Sequence, residues 1–219
     1  MTPTFDAVVI GSGVNGLVAA AQLAKGGWSV ALIEGSDRLG GFIATEERTL
    51  PGYLHDTYSS WHPLFVSGGA YAALGADPHR HGLEYRNTDG LITGTVTDEG
   101  RVVLAHRDPA ATAEMFGHSE DRTAYLTLLQ RFLDNADALG GILGGEPRSP
   151  RVRRHVGGSA ELDQALLWRP LPGAARHATP VPGLWHIGAS THPGPGLGAG
   201  SGHLVAQRLI RGRRRSSRR

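Results

Sequence analysis

Cysteine is absent from this chain of 219 residues. Structural disulfides, thiolate metal sites and dithiol redox relays are therefore excluded, and cysteine usage gives no information about the redox compartment. The sequence also lacks an apolar run long enough to cross a bilayer, and its N-terminus lacks the basic-then-apolar pattern of a secretory signal. These absences lead us to expect a cytoplasmic protein without stable membrane insertion.

Lysine is scarce as well, so arginine supplies almost all of the positive charge. The chain has 22 basic and 20 acidic residues, and six of the basic ones are arginines in the segment 211–219. Without that segment 16 basic residues face 20 acidic ones, so the rest of the chain is acidic. No aromatic residue is interleaved with the six arginines, which favours a solvated, disordered tail over a nucleic-acid-binding segment.

The N-terminal segment has the pattern of a β-α-β unit. The β-branched run FDAVVI (Phe5 to Ile10) predicts a buried parallel strand, the alanine- and leucine-rich stretch from Val14 to Lys25 predicts a helix, and SVALIE (Ser29 to Glu34) predicts a second strand. A hydrophobic content of 40% suffices for one well-buried domain. We therefore predict an α/β fold built on a parallel sheet.

The turn between the first strand and the helix reads GSGVNG, which is a dinucleotide-binding fingerprint. Gly11 allows the sharp turn, Gly13 lets backbone amides approach a pyrophosphate, and Gly16 lets the helix pack closely on the strand. Glu34, at the end of the second strand, can accept both hydroxyls of an adenosine ribose and would repel the 2′-phosphate of NADP. FAD and NAD share this fingerprint, and a cofactor-free remnant of such a fold is the alternative.

After Glu34, Arg38 and the pair Gly40 and Gly41 are placed where the loop can fold back over the pyrophosphate. The same residues resemble one particular group of flavoproteins. The runs FDAVVIGSGVNGLVAA and EGSDRLGGFIAT are similar to the superfamily that includes phytoene desaturases, carotenoid isomerases and monoamine oxidase-like enzymes. PGYLHDTYSSWHPLF (Pro51 to Phe65) resembles its phytoene desaturase-like branch, which includes pyridine nucleotide-disulfide oxidoreductase domain-containing protein 2. A disulfide mechanism is excluded here because the chain has no cysteine. The resemblance implies FAD as the cofactor and N-terminal contacts from Gly11, Ser12, Gly13, Val14, Asn15, Gly16, Glu34, Gly35, Arg38, Gly40, Gly41, Phe42, Ser59 and Ser60.

A second glycine-rich segment, HIGASTHPGPGLGAGSGH, lies near the C-terminus. Residues 167–210 resemble the segment that returns to the cofactor in the same superfamily. The resemblance implies a strand over Leu184 to Ile187, followed by GAGSG opening a final helix that runs to about Arg211 and starts against the flavin. The contacts implied for this segment are Gly188, Ala189, Thr191, Pro193, Gly196, Leu197, Gly198 and Ala199.

The middle of the chain predicts smaller elements. Residues 83–107 read as two or three strands with a turn at Asp98 to Gly100, and two helices follow over about 108–116 and 120–139. We therefore expect a Rossmann-like FAD-binding fold with a central parallel sheet, a small β-meander and a helical addition. The predicted organisation is one core over residues 1–210, composed of residues 5–140, an irregular connection over 141–161, and residues 162–210. Relatives that resemble both ends are more than twice as long, so the resemblance implies that the substrate domain is missing.

Candidates for chemistry on a substrate are few, because in this superfamily the flavin ring itself takes the hydride. Histidine near neutral pH can take or give a proton, and several polar side chains lie in the segments that resemble flavin-facing ones. These candidates are His55, Asp56, Tyr58, His62 and His192. His79 and His81 have no third ligand at a sensible spacing, so we predict no metal site.

Three functional hypotheses follow. The first is a compact FAD-dependent oxidoreductase that desaturates a C–C or C–N bond of a lipophilic or secondary-metabolite substrate. The second is a non-redox cyclase or isomerase that reuses the flavin cleft, and the third is a non-enzymatic scaffold or partner subunit. Loss of a covering domain would uncover apolar surface, so we expect a homodimer, with a different protein as the second choice of partner.

Overall fold

The structure is a computed structural model that describes residues 3–144, 177–188, 191 and 198–217. The chain divides into two compact units, one formed by Met1–Asp77 with Gly141–Arg219 and the other by Pro78–Gly140. This division differs from the single core predicted over residues 1–210. The reason is that the hairpin and helices within the second unit pack against one another.

The first unit opens with the predicted β-α-β unit. Strand β1 is Ala7–Ile10, helix α1 is Val14–Lys25, and strand β2 is Val30–Ile33, which pairs with β1 in parallel. The helix has the predicted bounds. It ends at Lys25 because two glycines follow, the second of which has a φ of 81°.

Short elements follow β2 in the first unit. Strands β3 (Thr45–Glu47) and β4 (Leu54–Asp56) form an antiparallel hairpin. Helices α2 (Pro63–Val66), α3 (Gly69–Leu74) and α4 (Asp77–Arg80) come next, and α4 lies at the boundary with the second unit. Proline at the first position of α2 suits a helix start, because proline has no backbone N–H to satisfy.

The second unit holds an antiparallel hairpin and two helices, and a third helix crosses the boundary at residue 140. Strands β5 (Leu91–Val96) and β6 (Val102–His106) are joined by the predicted tight turn, in which the Gly100 amide donates to the carbonyl of Thr97 at 2.9 Å. Helices α5 (Pro109–Glu114), α6 (Ser119–Asp134) and α7 (Ala136–Gly144) follow, so the connection predicted to be irregular from residue 141 is helical as far as 144. None of the helices in the described ranges has the length and apolar composition needed to cross a membrane.

The last helix, α8 (Gly200–Ser216), packs along α1. Two buried clusters join the helices: Leu23 of α1 with Ala206 and Ile210 of α8, and Val18 of α1 with Ala70 and Ala199. The first and last parts of the sequence therefore share one core.

The sheet structure is smaller than predicted. Where the chain is described, the parallel sheet has two strands, and the expected meander is a two-stranded hairpin. The predicted strand over Leu184 to Ile187 is only an isolated antiparallel bridge between Trp185 and Ala178. The chain folds back on itself around Gly183, whose φ is 79°, so this segment pairs with its own upstream neighbours instead of with β1.

The arginine-rich end also differs from its prediction. Instead of a disordered tail after about Arg211, helix α8 continues to Ser216. Arginine is a good helix former, and positive charge near a helix C-terminus is favourable. Arg213 further fixes this turn, because its guanidinium lies 5.1 Å from the ring centroid of Trp28 and 3.2 Å from an Asp6 carboxylate oxygen.

Two glycines of α8 give a matched test of its packing. A Cβ at Gly202 would lie 2.0 Å from the carbonyl oxygen of Asn15, whereas a Cβ at Gly212 would meet nothing within 4 Å. Gly202→Ala should destabilise the protein by roughly 2–3 kcal/mol through overpacking. Gly212→Ala should stabilise it by about 0.5–1 kcal/mol through helix propensity. Urea unfolding measures both, and equal midpoints for the two variants would contradict the packing of α8 on α1.

Candidate functional site

The turn between β1 and α1 leaves one side open. Gly11 has a φ of 92°, and its amide donates to the carbonyl of Ile33 at 2.7 Å. A Cβ at Gly16 would lie 2.0 Å from the carbonyl oxygen of Gly11, so close packing within the chain explains that glycine. Gly13 has a φ of −59°, and a Cβ there would meet nothing within 4 Å. The chain's own packing does not require this glycine, so the space beside it is available to a ligand.

Glu34 is held at the end of β2 by donors on both oxygens. The amide and hydroxyl of Ser12 donate to its Oε2 at 2.7 and 2.6 Å, and the amides of Gly35 and Ser36 donate to its Oε1 at 2.8 and 3.0 Å. These bonds, with the Ser12 hydroxyl first among them, lower the pKa of Glu34 to about 2. Glu34 is therefore a fixed, ionised acceptor beside the turn.

The loop after Glu34 folds back across the glycine turn, as the sequence predicts. The amide of Gly40 donates to the carbonyl of Ser12 at 3.1 Å, and Gly40 forms a bridge with Gly13. Gly41 has a φ of 60°, and a Cβ there would lie 3.1 Å from the Cα of Gly13. The side chain of Arg38 forms an ion pair with Glu46 on β3, so its guanidinium is already bound within the protein.

The second glycine segment lies against the first. The amide of Gly188 donates to the hydroxyl of Ser201 at 2.9 Å, and that hydroxyl donates to Oδ1 of Asn15 at 2.7 Å. The amide of Gly202 also donates to Asn15 Oδ1, at 3.3 Å. Gly188 has a φ of 120°, and a Cβ there would meet nothing within 4 Å. The structure thus joins the starts of α1 and α8 and leaves an open glycine in each segment.

Some residues predicted as cofactor contacts have side chains that face the protein interior. The hydroxyl of Thr191 donates to the carbonyl of Gly188 at 2.9 Å, and Ser12, Thr191 and Ala199 are all buried. Short polar side chains beside tight turns tend to satisfy nearby backbone or carboxylate groups, which explains Ser12 and Thr191. Gly198 packs against Leu64, 3.3 Å from the position of an added Cβ. Ala189, His192, Pro193, Gly196 and Leu197 lie outside the described residues.

The proposed catalytic side chains do not form one group on β4. Neighbouring residues of a strand point to opposite faces, so His55 and Asp56 are separated by the hairpin. A ring nitrogen of His55 lies 2.8 Å from the Thr49 hydroxyl, while Asp56 accepts from Thr45 at 2.8 Å. The two candidates are adjacent in sequence, but strand geometry gives their side chains different local partners.

The other candidates near α2 also have local contacts. The ring of Tyr58 packs edge-to-face on Phe42 with centroids 5.2 Å apart. A ring nitrogen of His62 lies 3.1 Å from the carbonyl oxygen of Ser59, whose hydroxyl donates to the carbonyl of Trp61 at 3.2 Å. Ser60 is exposed. Tyr58 and Phe42 thus form an aromatic pair next to the glycine loop at 40–41.

Sequence reasoning missed Glu46 and Ser201. Glu46 binds Arg38 and also Arg48, whose Nε lies 2.9 Å from its Oε2. Ser201 lies inside GAGSG, where a single small polar residue among glycines at a helix start is the available signal. Within the described ranges, no three histidine or acidic side chains come close enough together to hold a metal ion.

Comparison with known proteins defines the class of the N-terminal segment. Residues 9–74 match the family model of an NAD(P)-binding Rossmann-like domain, which confirms the Rossmann-like fold predicted there. The chain is 49% identical over 117 residues to pyridine nucleotide-disulfide oxidoreductase domain-containing protein 2 of Mus musculus, covering 51% of this chain and 19% of that protein. This similarity confirms the predicted resemblance to pyridine nucleotide-disulfide oxidoreductase domain-containing protein 2.

Two enzymes from bacteria are similar as well. The chain is 47% identical over 148 residues to (S)-6-hydroxynicotine oxidase of Paenarthrobacter nicotinovorans, covering 61% of this chain and 32% of the relative. It is 29% identical over 119 residues to a limonene dehydrogenase chain of Castellaniella defragrans, covering 54% and 21%. The matched part is thus between about a fifth and a third of the length of these relatives.

Solved structures of amine oxidases are similar over part of the chain. A triple mutant of putrescine oxidase has a TM-score of 0.43 and 25% identity, covering 68% of this chain and 30% of that one. Cyclohexylamine oxidase from Brevibacterium oxydans has a TM-score of 0.42 and 21% identity, covering 76% and 38%.

The lowered pKa of Glu34 makes stability depend on pH. Glu34 has a pKa of about 2 in the folded chain against an ordinary value of 4.5, so its ionised form stabilises the fold above pH 4.5. That contribution should be lost as the pH falls from 4.5 through about 2.

Urea midpoints measured across this window should fall less steeply for Glu34→Gln than for the unmodified chain. Glu47→Gln, an exposed change on β3, is the control and should follow the unmodified curve. Equal slopes for Glu34→Gln and the unmodified chain would show that Glu34 is not held as described.

Proposed function

We propose that this chain is a compact FAD-dependent oxidoreductase. The observation that supports it most strongly is the contact between the two glycine segments, through Asn15 and Ser201, with an open glycine in each. A dinucleotide is long and anionic in its middle, so its binding needs backbone amides free of side chains along an extended path. Gly13 and Gly188 supply such positions from opposite ends of the sequence.

The charges around the site fit FAD. Neither α1 nor α8 has an acidic residue in its first turn, although carboxylates are favoured there by the helix dipole. The positive ends of both helices therefore remain available to an anionic ligand. The ionised carboxylate of Glu34 is an acceptor that ribose hydroxyls can reach by replacing the donor from Ser36, whose hydroxyl lies 3.2 Å from Oε1.

When bound, FAD supplies the redox chemistry: its ring accepts a hydride as a C–C or C–N single bond of the substrate becomes a double bond, with loss of a proton and later return of the electrons to oxygen or another acceptor. The chain's own residues bind and orient. The backbone around Gly13 and Gly41 would hold the pyrophosphate, Glu34 the ribose, and the start of α8 the flavin end. The candidates for proton transfer to or from the substrate are His55, Asp56, Tyr58, His62 and His192.

An apolar or amine-bearing substrate suits the surface beside the loop at 40–41. Phe42 and its partner Tyr58 are largely exposed there, and Trp61, which follows Tyr58 in the chain, is largely exposed as well. Two relatives are named for (S)-6-hydroxynicotine and limonene, which are small organic molecules. These observations support oxidation of a C–N or C–C bond in a lipophilic or secondary-metabolite substrate.

Absorption spectroscopy tests the proposal directly. Purified protein incubated with FAD and freed of excess cofactor should show flavin bands that bleach on anaerobic titration with dithionite and recover in air. A featureless spectrum after this treatment would eliminate the redox function. Bound flavin that no reductant titrates would instead favour the non-redox alternative.

Gly13→Ala separates cofactor binding from folding. The φ of Gly13, −59°, is allowed for every residue type, and an added Cβ would have no atom within 4 Å. The unfolding midpoint should therefore not fall. FAD should bind at least about tenfold more weakly, because one hydrogen bond to a charged group is worth about 1.5–3 kcal/mol. Gly90→Ala, equally open but in the second unit, is the control. Unchanged FAD affinity in Gly13→Ala, measured by flavin fluorescence, would contradict the placement of the pyrophosphate.

We also propose that a second copy of the chain covers the face of the parallel sheet opposite α1. Val9 is buried, whereas Val8 and Ile10 on the other face are 55% and 80% exposed, and Ile33, beside Ile10, is 52% exposed. Parallel strands are normally buried on both faces. A twofold contact would pack this apolar strip against its own copy.

Sedimentation velocity should find a dimer that Ile10→Glu converts to monomer, because a charge would be buried at the contact. Val96→Glu, at a 68% exposed position in the second unit, should leave the dimer intact. A monomeric unmodified protein would contradict the homodimer, and a stable complex with a different chain would replace it.

A further inference from the structure

The hydroxyl of Ser201 connects three parts of the first unit. Ser201 is 2% exposed, and its Oγ accepts from the amide of Gly188 at 2.9 Å while donating to Oδ1 of Asn15 at 2.7 Å. A serine hydroxyl has one proton to donate and lone pairs to accept. One buried atom can therefore make both contacts at once, and it joins residues 186 positions apart.

Asn15 completes the connection from the α1 side. Its Oδ1 also accepts from the amide of Gly202, at 3.3 Å. The first four amides of a helix have no acceptor within that helix. Asn15, in the first turn of α1, thus supplies an acceptor for an amide in the first turn of α8.

This arrangement replaces ordinary helix capping. The residues before the two helices, Gly13 and Ala199, make no side-chain cap hydrogen bond. A serine or aspartate at either position would satisfy the helix start, and its side chain would also fill the space where the helix dipole points. The side chain of Asn15 satisfies an amide at the start of α8 from beside the helix instead of from the capping position.

We propose that Asn15 and Ser201 are positioning residues that couple the two glycine segments, so that binding of FAD at the first segment depends on docking of Gly188 and α8. The inference rests on the proposed function and names residues that act through the backbone instead of on the substrate. Loss of either side chain removes the hydrogen bond between the two segments, and both segments must be in place for the cofactor to contact them together.

Flavin affinity in four variants tests this role. Ser201→Ala should weaken FAD binding about tenfold, the effect of losing a buried hydrogen-bonding group. Ser201→Thr should restore affinity to within about threefold, although its extra methyl group in a buried position should lower the unfolding midpoint. Ile210→Val removes a methylene from the α1–α8 core cluster and should lower stability without changing affinity. Ser216→Ala, at the exposed end of α8, should change neither.

A double-mutant cycle isolates the pair. Asn15→Ala combined with Ser201→Ala should weaken FAD binding by less than the sum of the two single effects, because the hydrogen bond between the two side chains is lost in each single variant and can be lost only once in the double variant. The same non-additivity should appear in the urea midpoint measured without FAD.

The outcomes separate the two proposals. Additive effects in both measurements, or affinities that simply follow stability across the variants including Ile210→Val, would overturn the coupling while leaving FAD binding intact. No FAD binding by the unmodified protein would overturn the proposed function and the cofactor role of the pair together, and the cycle in urea would then report only on structural coupling.

Discussion

The backbone of α8 touches the backbone of α1 near the start of both helices, and the rest of the first unit depends on that contact. Only glycine fits at position 202, because a Cβ there would overlap the carbonyl oxygen of Asn15. Farther along the helices, Leu23 packs with Ala206 and Ile210, which sets their direction. The close approach brings Gly188 to α1 and thereby joins two distant stretches of sequence.

The same contact explains the distribution of charge and glycine around the site. Both helices begin without acidic residues, and the acidic group nearby, Glu34, is kept ionised by donors from Ser12 and its own following residues. Positive helix ends therefore face the open glycines while a single negative acceptor stands at the end of β2. This charge pattern suits a molecule in which an adenosine ribose adjoins a central pyrophosphate.

Local pattern was enough to predict the β-α-β unit, because the bounds of α1 follow from the glycines on either side of an alanine- and leucine-rich stretch. The fold-back of the loop at 40–41 over Gly13 was also predictable, through the resemblance. The structure of residues 184–187 was not predictable, because it depends on pairing around Gly183. The end of α8 was not predictable either, because it depends on the contacts of Arg213 with Trp28 and Asp6. The partners of Arg213 lie far away in sequence. The turn at Gly183 is local, but the hydrophobic pattern does not show which residues it pairs.

The candidate site likewise has features that the sequence predicted and features that it did not. Glycine spacing distinguished Gly13, which faces empty space, from Gly16, where a Cβ would overlap the carbonyl of Gly11. It did not show how the side chains around these glycines would point. Nor did residue type reveal that Ser12 and Thr191 turn inward, or that His55 and Asp56 point to opposite faces of β4. These properties depend on side-chain direction, which follows from the folded backbone.

Amide hydrogen exchange with and without FAD tests most directly whether the two glycine segments form one site. If they do, FAD should slow amide exchange both in residues 11–16 and in residues 198–202. The FAD concentration that gives half-maximal protection should be the same for the two segments. Protection of one segment while the other exchanges at its original rate would contradict a shared site.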